Sequence, residues 1–322
     1  MYYFARDEAF LDIFALSDHS ERLTERQWEY FVNVTNDFNA PGRFVTLVGL
    51  EWTNDTLGHR NVYYPGDFGP CLRANDPSQN DLQSLYACAR KHGALVIPHH
   101  SANARMGVEW VLGHDPEIER LVEIYSVWGN SERHANMGNT RPIRMIQGER
   151  EGRHVLDALK MGRRFGFIGG GDIHDGRPGD EMHTSQSAPK PYQQLYRQGI
   201  MGVWARELTL ESIFEALWNR RVFATTNNRM FLRFTVAGRP MGSEVAGNGA
   251  MPVTVDVASQ VPISRIDFVL NGEDAETIHP QQREFLWETD RQFPEEPAWC
   301  YARITREDGE MAWSSPVWIS PE

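Results

Sequence analysis

The stretch Gly169-Gly170-Gly171-Asp172-Ile173-His174-Asp175 decides how the chain is read. The apolar run 165–168 enters it and Gly176-Arg177-Pro178-Gly179 leaves it. A strand that stops in glycines and then presents carboxylate, spacer, imidazole and carboxylate has the make-up of a metal site. In an extended backbone alternate side chains share a face, so Asp172 and His174 can address one ion or two adjacent ones. The glycines allow backbone and ligand to approach closely. The competing reading is a strand-to-loop turn whose polar residues are simply solvated.

Outward from this stretch the same grammar repeats. The apolar strand pattern 12–17 ends in Asp18-His19-Ser20, and 44–50 ends in Glu51-Trp52-Thr53. A loop or hairpin follows, in which Gly58-His59-Arg60-Asn61 leads into a short strand at 62–64, and 94–98 ends in His99-His100-Ser101. The strand 121–126 carries Glu123. Helical spacing is found at 21–38, 81–92 with Gly93 as its cap, 153–161, and 210–219 with Thr209 as its cap. Short strands at 202–205 and 222–226 close the series. Nearly all-apolar strands alternating with helices predict a parallel sheet buried on both faces. Polar residues at the carboxyl ends of such strands predict an α/β barrel over residues 1–230, with its site on that rim. No glycine-rich phosphate loop supports an open doubly wound sheet. From residue 231 the pattern turns to short alternating strands and turns such as Asn271-Gly272 and Asp308-Gly309, which reads as a small C-terminal β-sandwich over 231–322.

The rim candidates are Asp18 and His19, Glu51, His99 and His100, Glu123, and Asp172 and His174, with His59 on a loop. Imidazoles and carboxylates are ligands that zinc, manganese and iron share. A carboxylate such as Glu51 can bridge two ions, and metal-bound water is a nucleophile near neutral pH, so no serine or cysteine nucleophile is needed. Each candidate has a plainer reading. His19 could belong to a helix cap, Glu51 could pair with a buried arginine, and Glu123 could sit in an internal ion pair. If both are extended, His99 and His100 point to opposite faces, which favours His99 as the ligand. His92, His114, His134, His154, His183 and His279 read as surface or structural. Arg60, Arg141 and Arg177 fall on loops near the rim, and the planar guanidinium suits phosphate or carboxylate.

The 322-residue chain carries a net charge of −12, which argues against a nucleic-acid or anionic-membrane surface. Bound cations would still allow an anionic small-molecule substrate. Three scattered cysteines favour a reducing, cytoplasmic setting. No apolar stretch is long enough to span a bilayer, and the first residues lack a signal-peptide pattern.

These motifs together resemble the PHP superfamily of metal-dependent phosphoesterases, the polymerase and histidinol phosphatase type. The resemblance rests on Ser17-Asp18-His19, Glu51, Pro98-His99-His100 and Asp172-Ile173-His174. More specifically, the chain looks like the domain-of-unknown-function 3604 branch, through Gly49-Leu50-Glu51-Trp52-Thr53, Gly58-His59-Arg60-Asn61, Gly129-Asn130-Ser131-Glu132 and Trp313-Ser314-Ser315-Pro316. It implies a distorted seven-stranded TIM-like barrel holding two or three divalent ions. The ligands it implies are His19, Glu51, His99, Asp172 and His174, with Asp18, His59, His100 and Glu123 as further candidates. Asp172, His174 and Glu51 would serve catalysis, and Arg177 and Arg60 would contact substrate. Two departures stand out. No histidine precedes Asp18, where the family opens with His-x-His, so a barrel short of its first strand is expected. After the Glu123 strand, where a further histidine ligand is common, the chain reads Val127-Trp128-Gly129. The expected function is a metal-dependent phosphoesterase acting on a phosphorylated small molecule. A degenerate, non-catalytic binding protein and a carbon–nitrogen hydrolase are the alternatives.

Overall fold

A computed structural model describes residues 1–180 and 196–321. In chain order the elements are β1 (Ile13–Leu16), α1 (Glu25–Phe38), β2 (Val45–Trp52), β3 (Arg60–Tyr63), α2 (Leu82–His92), β4 (Leu95–Pro98), β5 (Leu121–Ser126), β6 (Gly129–Asn130), α3 (Val155–Lys160), β7 (Gly166–Gly169), β8 (Ile200–Val203), α4 (Leu210–Trp218) and β9 (Val222–Thr225). Then follow β10 (Phe231–Val236), β11 (Arg239–Pro240), β12 (Glu244–Ala246), β13 (Gly249–Leu270), β14 (Glu273–Ile278), β15 (Gln282–Phe293), β16 (Ala298–Arg306), β17 (Met311–Ser314) and β18 (Val317–Ser320). Local chemistry explains the ends. Thr24 and Gln27 form a capping box on α1, Asp81 and Thr209 cap α2 and α4, and Gly93 ends α2 at φ +63°.

The expected (βα) barrel does not form. Three sheets are present among the described residues: β1-β2-β3-β4, β6-β5-β7, and a large sheet running β11-β10-β13-β16-β17-β9-β8 with β12, β14, β15 and β18 attached. The chain is mostly β, and its first part is a curled half-barrel of sheet. β1 pairs parallel with β2 and β5 with β7, but β3 is antiparallel to both β2 and β4, and β8 is antiparallel to β9. A parallel pair needs a crossover of about a dozen residues or more, usually a helix. Residues 53–59 are too few for one, so β3 turns straight back on β2. The stretch from β4 to β5 runs through turns and one short 3-10 helix.

The strand-rich C-terminal part is continuous with the rest. β13 is 22 residues long and pairs with β10 and β15 along one half and with β14 and β16 along the other. β17 pairs with β16 on one side and with β9 on the other, so hydrogen bonding crosses the expected boundary at residue 230. One core cluster draws Val122, Phe165 and Phe167 together with Val269, Tyr301 and Trp313.

A buried charge pins this junction. The Glu132 carboxylate accepts from Tyr301 Oη at 2.5 Å, Arg303 Nη1 at 2.8 Å and Trp313 Nε1 at 2.8 Å. Burial opposes its ionisation, but Arg303 and Arg133 outweigh that and hold its pKa down to about 2. Removing one partner of a buried pair strands the other, at a cost of about 3–5 kcal/mol. Glu132→Ala is therefore expected to lower unfolding free energy by about 3 kcal/mol in urea titrations. The exposed Glu307→Ala should change it by less than about 0.5 kcal/mol.

Candidate metal centre

The carboxyl ends of β1, β2, β4 and β7 converge on one buried cluster, backed by Glu123 inside β5. His99 follows β4 directly. Its Nδ1 lies 2.9 Å from Glu123 Oε2, and its Nε2 lies 3.1 Å from Asp172 Oδ2. His100 Nδ1 is 3.3 Å from the same Asp172 oxygen, and its backbone N–H donates to Glu123 Oε1 at 3.3 Å. One donor atom each from His99, His100 and Asp172 lies within 4.8 Å of the other two. A second lobe joins through His59, whose Nδ1 is 3.2 Å from His100 Nε2 and 2.7 Å from Glu51 Oε1. The other Glu51 oxygen is 3.8 Å from His19 Nδ1, which also meets Thr53 Oγ1 at 2.7 Å. His59 Nε2 meets Asp55 Oδ1 at 2.9 Å.

Backbone conformation decides which residues meet. His100 has φ +31° and Asp172 has φ +48°. Strand alternation therefore does not apply at His99-His100, and both rings turn to the same side with centroids 4.0 Å apart. Asp172 and His174 both line the same cleft. His174 is exposed at the rim, its ring 6.0 Å from that of His19 and 6.5 Å from that of Trp128. Asp18 is exposed, and its carboxylate accepts the His19 N–H at 2.8 Å. The glycines serve close approach: a Cβ on Gly170 would overlap the Glu123 carboxylate.

The arginines separate clearly. Arg60, expected at the substrate, is fully buried with its Nε 2.8 Å from Glu119 Oε1, an oxygen that also accepts from Tyr86. Its position just after the Gly58 turn puts it on the opposite face of β3 from Asn61, which does face the cleft. Arg141 pairs with Glu310 at 3.0 Å. Arg177 is exposed on the rim, 3.5 Å from Asp180 and 5.9 Å from the Phe4 ring. His114 and His154 are structural, paired with Glu119 and Glu149. His183 lies outside the described residues. Asp55 and Thr53 had no signal beyond their nearness in sequence to Glu51 and His59.

Electrostatics sort the groups into roles. Burial opposes charge on His99, but Glu123 and Asp172 on its two sides hold its pKa well above the usual value. Burial, and then the charge on His99, push His100 down to about 4. Burial would raise Glu51 and Asp172, yet the neighbouring histidines hold Glu51 at about 2 and Asp172 well below the carboxylate range. At neutral pH the carboxylates are thus ionised and His100 is a neutral nitrogen donor. Glu123 stands behind His99, the position of a carboxylate that orients a ligating histidine. This borderline nitrogen and oxygen set fits zinc, manganese or iron. A cavity of about 1020 Å³ opens beside the cluster.

A half-barrel of sheet with an acid–imidazole cluster at its strand ends defines a candidate metalloprotein. The chain belongs to the family described as "Protein of unknown function (DUF3604)", whose model matches residues 3–143 and 162–263. It is 30% identical over 342 residues to an uncharacterized protein of Chlamydia pneumoniae, covering 99% of this chain and 54% of that one. It is 32% identical over 343 residues to one of Chlamydia muridarum, covering 98% and 53%. The chain therefore spans about half the length of these curated relatives. Among solved structures, the fibronectin(III)-like modules of Clostridium thermocellum CbhA align at TM-score 0.22, 17% identity, 31% of this chain and 60% of that one, a likeness too slight to carry an argument. Among the described residues no helix is long and apolar enough to cross a membrane.

Metal binding must displace the proton held on His99, so affinity should rise with pH up to the elevated pKa of that histidine and fall below it. Calorimetry of zinc or manganese binding in buffers of different ionisation enthalpy checks the proton release. Gly170→Ala, which displaces Glu123 from behind His99, should weaken metal binding by about tenfold or more while the fold persists by circular dichroism.

Proposed function

We propose that the protein is a divalent-metal-dependent hydrolase, a phosphoesterase of PHP-like type, acting on a phosphorylated small molecule. The observation that carries this reading is the pair of linked donor lobes, His99-His100-Asp172 and Glu51-His59-His19, joined by the His59–His100 contact. Bound ions would supply Lewis acidity and an activated water. The chain's own residues do the rest. Glu123 fixes the His99 ring so that Nε2 faces inward. Asp55 fixes His59 in the same way from outside, and Thr53 fixes His19. The buried walls keep bulk water from the donor atoms, which strengthens their hold on charge. Arg177, exposed on the loop that also carries His174, would be the cation that meets a substrate phosphate. The donor set is also compatible with carbon–nitrogen hydrolysis and with simple ligand binding, which the assay separates.

The test is hydrolysis of p-nitrophenyl phosphate and bis(p-nitrophenyl) phosphate with manganese or zinc. Turnover is expected, lost to chelator and reduced by about a hundredfold or more in Asp172→Asn, whose neutral amide binds a cation poorly. Metal binding without turnover of either ester would overturn the phosphoesterase reading.

A further inference from the structure

Two amide side chains along the cavity beside the cluster are buried yet incompletely bonded. Asn61 and Asn228 both line it, and they are only 5% exposed. Neither Oδ1 atom accepts a hydrogen bond among the described residues, and no other described lining side chain has a buried polar atom left in that state. Asn61 stands on β3 directly across from Glu51 in β2 and Ile97 in β4, which places it beside the Glu51 lobe of the cluster. Asn228 follows β9, whose Thr225 carbonyl packs against Gly169 in the segment that leads to Asp172. Its Nδ2 donates to the Met311 carbonyl at 2.8 Å, which fixes the other atom of that amide as the acceptor. Much of the remaining wall is aliphatic, with Leu47, Ile97, Ile168, Ile213 and Leu217.

A buried acceptor without a donor is costly, and native proteins leave few of them. An occupant that offers carbon alone leaves both oxygens unpaired. An ionised phosphate does the same, because its oxygens accept. An occupant bearing hydroxyl groups pairs them. An ammonium also donates, but burying its charge calls for a counter-charge that a neutral amide does not supply. We propose that the substrate of this site is the phosphate ester of a hydroxylated carbon skeleton. The phosphoryl group meets the acid–imidazole cluster, the aliphatic walls cover carbon, and Asn61 and Asn228 accept hydrogen bonds from substrate hydroxyls. The two amides are then specificity-determining residues, because an analogue without hydroxyls leaves buried polar groups unpaired. The substrate class rests on the hydrolase reading for its phosphoryl group, whereas the amide contacts rest on the two unpaired oxygens.

The probes are sorbitol 6-phosphate, hexyl phosphate and 6-aminohexyl phosphate, three esters of one chain length. Affinity is read as KM where phosphate is released, and as Kd by calorimetry of the manganese-loaded protein where it is not. Sorbitol 6-phosphate should be held about tenfold or more tightly than hexyl phosphate, and Asn61→Leu or Asn228→Leu should each lower that ratio by about tenfold. Leucine matches asparagine in size and removes the unpaired acceptor, so Asn61→Leu should melt no lower than the parent protein. A merely structural amide would instead give a lower melting temperature and an unchanged ratio. Asn61→Leu carries the test if Asn228→Leu, which gives up the Met311 bond, does not fold. Equal affinity for hexyl phosphate, a ratio untouched by Asn61→Leu, or a preference for 6-aminohexyl phosphate overturns the inference. Turnover of p-nitrophenyl phosphate without a preference for the sorbitol ester sinks this inference and leaves the hydrolase reading standing. Asn61-dependent binding of the sorbitol ester without turnover of any ester does the reverse.

Discussion

Glu123, His99 and Asp172 form a line of buried acid, imidazole and acid through the interior, and the rest of the cluster is arranged around it. Taking any one of these groups out of water alone would cost several kcal/mol. Each is tolerable because the next stands about 3 Å away. The line ties the end of β4 to the parallel pair β5 and β7. It also explains local features that look unfavourable in isolation. His100 and Asp172 hold positive φ so that a second imidazole can reach the same carboxylate. Gly170 lacks a Cβ because Glu123 fills that space.

A second buried carboxylate plays the corresponding part at the junction with the C-terminal strands. Glu132 gathers a tyrosine, an arginine and a tryptophan from β16 and β17. Its loop follows β5, so the strand that backs the acid–imidazole cluster is anchored beyond its exit by the C-terminal sheet. The sharing of β9 between the half-barrel and that sheet has the same effect. The rim is thus held by a half-barrel and a sheet joined through strand pairing, which suits a site whose donor atoms must keep fixed separations.

Much of the local structure was legible in the residues. The strands 12–17, 44–50, 94–98, 121–126 and 222–226 and the helices 21–38, 81–92 and 210–219 correspond to observed elements, with ends shifted by up to four residues, because their apolar spacing and caps are local properties. Their assembly was not. An apolar strand buried on both faces reads the same whether its neighbours run parallel or antiparallel, so β8 and β9 were read into a parallel barrel that does not form. The candidate site was legible to a similar depth. Residue types and strand-end positions pointed to His19, Glu51, His99, Glu123 and Asp172. Alternation misjudged His100, since it assumes an extended backbone at a residue that holds positive φ. Arg60 was misplaced for a related reason: nothing in its neighbourhood announces Glu119, which lies 59 residues away.

What the amino-acid order determined by itself is the set of local elements and the inventory of acids and imidazoles at their ends, because period, caps and composition act within a few residues. Tertiary structure alone decided strand direction, the joining of half-barrel to C-terminal sheet, and which donors share a centre. Those depend on connection length, on φ at single residues and on the pairing of buried charges across tens of residues, none of which a local pattern encodes.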